Sequence, residues 1–243
     1  GALINLSKPV RDEYGDLWLP TTCGFLILEK GGGTRLLGPA QGLPLTWTRT
    51  LFKDRECNLW LVGSGLVKLK GKGHLTIHQE DAQLPQGLVW SLLRTKSGEL
   101  LAGTSDGVGR LGAKGWSTVP GTTGFGAYAL LEEKDGSILL ASAPKGVFRL
   151  ARGSISKPLP LPVADPRVNA LAQDTQGRTW LGTALKGAVP LDPKEAALAM
   201  VPGDWQLPAI NVSCFASDAA GGLWAATLQG LFVLEGGRWR RFG

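Results

Sequence analysis

The sequence predicts an all-β fold: a β-propeller of four-stranded blades, six of them in 243 residues, seven if a blade has been cut away. Three observations predict it. First, one grammar of residues recurs six times. It is clearest in VNALAQDTQGRTWLGTALKG (Val168 to Gly187), where an apolar run, an Asp-x-x-Gly turn and a Trp-Leu-Gly-Thr strand lead to a closing Gly. Second, the copies keep a fixed period. The Trp of the motif, or the Leu replacing it, falls at Trp18, Trp60, Leu101, Leu139, Trp180 and Trp224, at intervals of 42, 41, 38, 41 and 44 residues. Third, each period has room for four short strands, which at this repeat length is the signature of a propeller blade.

The register holds at two more offsets. Three residues before the mark stand Gly15, Cys57, Gly98, Gly136, Gly177 and Gly221; six before it stand Asp12, Asp54, Thr95, Glu133, Asp174 and Asp218. With the strands of each unit named A to D, the fifth unit places A at Val168–Gln173 and B at Thr179–Thr183. C follows at about Ala188–Leu191, and D near Ala199–Val201. Strand A is apolar on both faces, as a strand between neighbouring sheets must be. Strand D is short and polar, as in Arg238–Phe242 and His74–His78, which suits an outer edge. Asp-x-x-Gly makes the A–B turn, because Asp bonds its own backbone two residues on and Gly accepts a positive φ. The only helix candidate, Lys194–Met200, overlaps the expected fifth D strand. The single propeller domain, 1–243, divides into blades at about 1–42, 43–85, 86–124, 125–164, 165–206 and 207–243.

Composition agrees with such a chain. Hydrophobic residues make up 43%, enough to build a core, while Gly 35 and Pro 15 supply the many turns. The 26 basic and 20 acidic residues give a net charge of +6. The basic residues are scattered, with the tightest groups at Lys68, Lys70 and Lys72 and at Arg238, Arg240 and Arg241. Nothing sets them beside stacking aromatics in a groove, so no nucleic-acid partner is expected. Cys23, Cys57 and Cys214 form neither a disulfide framework nor a metal-ligand spacing. His74 and His78, four apart in an extended strand, stand about 13 Å from each other, too far to chelate one metal. No cofactor and no metal is expected. No apolar run reaches the roughly 18 residues of a membrane span. Gly1-Ala2 reads as a cloning remnant, so any membrane association would come through flanking segments.

The units resemble two-component regulator propeller repeats, whose pattern runs Gly-Leu-Pro, Val-x-x-Leu, Asp-x-x-Gly-x-Leu-Trp-Leu-Gly-Thr, Gly-Leu. Here it is carried by Gly42-Leu43-Pro44, Leu84-Pro85 and Leu207-Pro208 before strand A, Trp180-Leu181-Gly182-Thr183 in strand B, and Gly65-Leu66 and Gly230-Leu231 opening strand C. The resemblance covers nearly the whole chain. It weakens in the first unit, where Pro9 sits within strand A, and in the fourth, which has no Trp. It implies the extracytoplasmic, periplasmic sensor of a bacterial signal-transduction protein, often seven-bladed. It implies ligand sensing rather than catalysis and brings no catalytic residue with it.

In a four-stranded meander the D–A and B–C connections share one end of the blade and the A–B and C–D connections the other. The D–A/B–C end is where positions differ most between copies, so the ligand is expected there. The second residue of strand A reads Ser7, Arg49, Trp90, Tyr128, Asn169 and Ser213. The residue before the strand-C Gly reads Cys23, Ser64, Asp106, Lys145, Lys186 and Gln229. Neighbouring loops add Trp47, Glu80, Asp81, Phe125, Asp165, Arg167, Asp204, Trp205 and Asn211. From these the candidate ligand-binding set is Trp47, Arg49, Trp90, Asp106, Tyr128, Lys145, Asn169, Lys186, Asn211 and Gln229. Aromatic platforms beside Arg, Lys and Asn suit a sugar ring or an anionic group. The repeated Trp18, Trp60, Trp180 and Trp224 are expected to pack between blades. The leading expectation is a ligand-sensing propeller that binds a small molecule or oligosaccharide, with a protein partner or self-association as further possibilities. A propeller lyase of the virginiamycin B lyase type, which shares Gly-x-x-Trp blades, and a protein-docking scaffold are the alternatives. The lyase reading needs a His or a metal cluster near the channel, and the sequence offers neither, so the chain is not expected to be an enzyme.

Overall fold

A computed structural model describes residues 9–45, 47–70, 74–77, 84–85, 87–143, 145–151, 153–164, 167–192, 194, 211–218 and 220–242. The fold is an all-β, six-bladed propeller. Every blade is an antiparallel meander whose strands pair in chain order, the topology that short turns at a 41-residue period permit. The chain forms two compact units, Gly1–Phe125 and Gly126–Gly243, each holding three blades.

In the first unit, blade one comprises β1 (Val10–Arg11), β2 (Leu17–Thr21), β3 (Gly24–Leu28) and β4 (Thr34–Leu37). Blade two comprises β5 (Thr48–Lys53), β6 (Leu59–Gly63), β7 (Leu66–Lys70) and β8 (His74–Ile77), and blade three β9 (Val89–Arg94), β10 (Leu100–Thr104), β11 (Val108–Gly112) and β12 (Gly115–Thr118). In the second unit, blade four comprises β13 (Ala129–Glu132), β14 (Ile138–Ser142), β15 (Gly146–Ala151) and β16 (Ser154–Ile155). Blade five shows β17 (Val168–Gln173), β18 (Thr179–Thr183) and β19 (Ala188–Pro190). Blade six comprises β20 (Val212–Ser217), β21 (Leu223–Thr227), β22 (Gly230–Glu235) and β23 (Arg238–Phe242). The expected fifth D strand, Ala199–Val201, and all but Lys194 of the helix candidate lie outside the described residues, as does His78. β1 starts directly after Pro9, whose ring leaves no N–H for the ladder.

The core is built where one blade's face meets the next. Trp18, Phe25 and Ile27 of blade one pack on Leu51, Leu61 and Leu69 of blade two. Trp60, Val62 and Leu66 of blade two pack on Leu100, Ala102 and Trp116 of blade three. In the second unit, Leu139 and Val147 of blade four meet Val168, Leu181 and Val189 of blade five. Trp180 and Ala188 of blade five meet Ala225, Phe232 and Trp239 of blade six. Trp60 stands edge-on to Trp116 at 6.4 Å and Trp180 edge-on to Trp239 at 5.3 Å, the geometry that aromatic quadrupoles prefer.

The A–B turns carry more than turn chemistry. In blade five Asp174 Oδ1 accepts the backbone N–H groups of Gln176 and Arg178, at 3.0 and 2.9 Å, while Oδ2 accepts the indole N–H of Trp180 at 2.9 Å. Asp12 serves Trp18, Asp54 serves Trp60 and Asp218 serves Trp224 in the same way. One carboxylate therefore closes the turn with one oxygen and orients the packing Trp with the other. Where Leu replaces Trp there is no indole to serve, and the Asp is gone too. In blade three Thr95 Oγ1 closes the turn onto Glu99 N at 3.0 Å. In blade four Glu133 turns to Arg149 at 3.0 Å and to the Ser137 hydroxyl at 2.8 Å.

The fourth turn residue needs a left-handed backbone. Gly15, Gly98, Gly136, Gly177 and Gly221 adopt φ of 82–94° there, while blade two places Cys57 at φ 63°. A side chain in this region costs about 1–2 kcal/mol, partly offset by the extra chain entropy that Gly loses on folding. Cys57→Gly is therefore expected to stabilise the protein by up to about 1 kcal/mol, raising Tm by about 2–4 °C. An unchanged or lower Tm in a thermal melt would contradict this.

Candidate functional site

The candidate residues sit where strand A begins and strand B ends, and a fault in the ladder places them there. In blade two Thr48 pairs with Gly63 and Thr50 with Val62, so the register shifts across Arg49. Blade three does the same at Trp90, between Val89 opposite Thr104 and Ser91 opposite Gly103. Blades five and six do so at Asn169 and Ser213. In blade four Tyr128 precedes β13 and donates its N–H to Ala141 O at 2.9 Å, the residue with which Ala129 pairs. A β-bulge inserts one extra residue, bends the strand and re-aims that side chain. The most variable position of the repeat is thus the bulged one. The Gly of strand B makes room: a Cβ on Gly63 would lie 2.0 Å from Trp47 O, and one on Gly182 2.9 Å from the Val212 side chain.

The B–C turns beside the bulges are fastened by a residue that the sequence reading passed over. Thr21, Thr104, Thr183 and Thr227 end strand B, and each donates its hydroxyl to the carbonyl of the Gly opening strand C, Gly24, Gly107, Gly187 and Gly230. Each hydroxyl also accepts a turn N–H, from Cys23, Asp106, Lys186 and Gln229 respectively. These turn residues thus have their backbones satisfied by local side-chain bonding while their side chains differ from blade to blade. Their signal was the Thr recurring at the end of the motif.

In the first unit three of the expected residues come together. The rings of Trp47 and Trp90 lie 6.0 Å apart, tilted by 57°. The Arg49 guanidinium sits over the Trp90 ring at 4.9 Å, within cation–π range. All three are half-buried. Trp90 is held in place by its indole N–H, which donates to Ser105 Oγ at 3.0 Å. Asp106, on the next turn residue, has a different job: its carboxylate accepts the N–H of Gly124 at 3.0 Å and ties down the loop after β12. Phe125 closes the same loop by donating its N–H to Thr122 O at 3.0 Å.

In the second unit a polar group forms instead. Asn169 Nδ2 donates to Val212 O at 3.5 Å, and the flanking Ser213 hydroxyl donates to Asn211 Oδ1 at 3.4 Å. Lys145, Lys186 and Gln229 stand exposed on their B–C turns, and Arg167 O accepts the N–H of Ala184 in the turn of blade five. Glu80, Asp81, Asp165, Asp204 and Trp205 lie outside the described residues. Cys23 is exposed in a B–C turn, Cys57 lies in an A–B turn, and Cys214 is half-buried in β20. Among the described residues no group of three or more His, Cys, Asp or Glu gathers as a metal site would require.

The perturbed acids lie at the opposite end, in the A–B turns. Burial pushes the Asp54 carboxyl up, but hydrogen bonds from Asn58 and the Trp60 indole outweigh it and hold the group below its ordinary range. Asp174 follows the same balance, with Trp180 and Arg178 as donors. For Asp218 the Trp224 indole leads, followed by the backbone of Gly222. A depressed folded value means stability that is fully present above the unfolded carboxylate value of about 3.9 and lost as pH falls through the lower folded value. Tm is expected to stay level from about pH 7 to 5 and to fall steeply below about pH 4. Asp174→Asn should lower the neutral-pH Tm and make the acid fall shallower. An unaltered acid limb in that variant would remove Asp174 from the account.

No protein-family model matches the sequence, and no curated protein sequence matches it. Solved structures do. The extracellular domain assigned to a hybrid two component system of B. thetaiotaomicron matches over 100% of this chain at 16% identity, with a TM-score of 0.66. The chain spans 38% of that domain's length. A second such domain from the same organism matches over 97% of this chain at 17% identity and a TM-score of 0.56. Virginiamycin B lyase from Staphylococcus aureus matches over 100% of this chain and 84% of its own length, at 11% identity and a TM-score of 0.67. The likeness establishes the propeller fold.

It also corrects one expectation. The chain was expected not to be an enzyme, yet a lyase carries this fold along the chain's entire length. The scarcity of histidine bears only on a Ser-His-Asp triad and a metal cluster. Tyr, Lys, Asp and Glu also serve as general acids and bases, and such residues stand at the bulged end of these blades. Among the described residues no helix is long and apolar enough to cross a membrane.

Proposed function

We propose that this chain is a ligand-recognition propeller of the two-component regulator type, acting outside the cytoplasm as the sensing part of a bacterial signalling protein. The observation that carries the reading is the bulge series. One register position, re-aimed by the same backbone fault, holds Arg49, Trp90, Asn169 and Ser213 in four blades. A scaffold repeated with constant turns and variable bulged side chains suits recognition. The ligand is a small molecule or oligosaccharide, and in the first unit Trp47 and Trp90 supply ring surface and Arg49 a fixed cation for it. The extracellular domains that share the fold support the location and the signalling role.

A thermal-shift screen of neutral oligosaccharides, acidic sugars and small organic acids tests the reading. One class is expected to raise Tm in a saturable manner, following the mass-action relation between ligand concentration and stability. A flat response across all three classes would count against it. A lyase-type activity at the same end is the second reading, favoured by the match to virginiamycin B lyase over 84% of that enzyme's length. Mass analysis of each screened compound after incubation separates turnover from binding.

A further inference from the structure

The two ends of the second unit differ in charge. At the D–A/B–C end stand Lys145 and Lys186, in the B–C turns of blades four and five, and Arg167, just before β17; all three are exposed. Arg241 of β23 joins them. It is exposed, and its Nε lies 3.7 Å from where a Cβ on Gly230, the residue opening strand C, would stand. Among the described residues no acid shares this end. The described acids of blades four to six, from Glu132 in β13 to Glu235 in β22, stand in the A–B and C–D connections or at the strand ends leading into them. The same end carries apolar side chains in its turns. Leu185 is 51% and Leu228 72% exposed, in the B–C turns of blades five and six. Turn chemistry does not call for leucine, since such positions favour Gly, Asn, Asp or Ser. At the place of Leu228, blades one and three have Thr22 and Ser105. Closure comes instead from Thr183 and Thr227, each bonded past its leucine to the two residues that follow it. The turns are thus fastened without the leucines, which project into solvent beside the basic residues.

We propose that this end of the second unit docks on an anionic lipid surface, with its cations at the headgroup phosphates and Leu185 and Leu228 entering the boundary with the acyl chains. The two features together select the partner. A soluble anion would satisfy Lys145, Arg167, Lys186 and Arg241 but gives no place to a leucine at a turn tip. A lipid surface takes both, since apolar side chains bury at the headgroup–acyl boundary while basic residues are drawn to anionic headgroups. The charge division between the two ends fixes the orientation, because the acids at the A–B end would be repelled by the same surface. Nothing in this depends on the ligand proposed above, whose ring surface and cation belong to the first unit.

The test is co-sedimentation of the protein with vesicles of phosphatidylcholine alone or of phosphatidylcholine and phosphatidylglycerol in equal parts. Binding to the anionic vesicles is expected to be at least about tenfold tighter than to the neutral ones, and to weaken as added salt screens the charges. Lys186→Gln with Arg241→Gln should weaken it by about tenfold or more, at about fivefold for each basic residue near such a surface. Leu185→Gln with Leu228→Gln should also weaken it by about tenfold or more. All four side chains are exposed, so Tm should move by no more than about 2 °C in either variant. Lys134→Gln with Lys194→Gln removes the same charge from the opposite end and should leave binding within about twofold. Absence of binding to the anionic vesicles would overturn the proposal, as would equal losses from the two ends or leucine variants that bind like the parent. So would binding of soluble heparin as tight as that of the vesicles and unaffected by the leucine substitutions, which would make a soluble polyanion the partner.

Discussion

Trp180→Ala is expected to lower the unfolding free energy by about 3–5 kcal/mol, as truncations of buried aromatics do, and Tm by on the order of 10 °C. The indole is 1% exposed, lies edge-on to Trp239 and donates to Asp174. Truncation would remove the ring from the seam between blades five and six and leave a buried carboxylate short of one donor. Trp224→Ala is the matched control. It has the same motif position and the equivalent bond, to Asp218, but is less completely buried, and should cost on the order of 1–2 kcal/mol because a smaller cavity is left behind. Chemical denaturation of the two variants decides the matter. A loss below about 1 kcal/mol for Trp180→Ala, or equal losses for both, would mean that inter-blade packing is not what these tryptophans provide.

Arg49→Ala combined with Trp90→Ala is expected to weaken binding of the compound selected by the thermal-shift screen at least 100-fold, with Tm moving by only a few degrees. Both side chains are half-buried and bulged, so neither takes a regular place in the strand ladder. Removing them takes away ring surface and a cation that are pre-positioned by contact with each other and, through Trp90, with Ser105. Alanine substitutions at Arg55 and Lys96, in the A–B turns at the far end of the same blades, should leave affinity within about twofold. Comparable losses from the two sets would move the site away from the bulged end.

The strands were legible because their signal is repeated. Val168–Gln173 and Thr179–Thr183 fall at the predicted residues, since the Asp-x-x-Gly turn and the Trp mark pin both ends of the A–B hairpin. The bond between Asp and Trp was legible too, in the joint loss of both at Thr95 with Leu101 and at Glu133 with Leu139. Reading the columns one at a time hides it. The bulge was not legible. Arg49, Trp90, Asn169 and Ser213 share no chemistry, and what makes them equivalent is a slip in pairing against strand B, a property of two strands that neither segment displays alone. The three-residue group of Trp47, Arg49 and Trp90 was foreseen as neighbours on one end, but not the stacking of Arg49 on Trp90. That contact depends on the bulge angles of two consecutive blades.

The indole bonds also turn each blade with a Trp at the register mark into its own reporter. An indole proton held by a carboxylate exchanges slowly with solvent and resonates apart from those that face water. Trp18, Trp60, Trp180 and Trp224 donate to Asp12, Asp54, Asp174 and Asp218, so four such resonances distribute over blades one, two, five and six. Followed during denaturation or hydrogen exchange, they would show whether the blades melt together or in succession, without any added label.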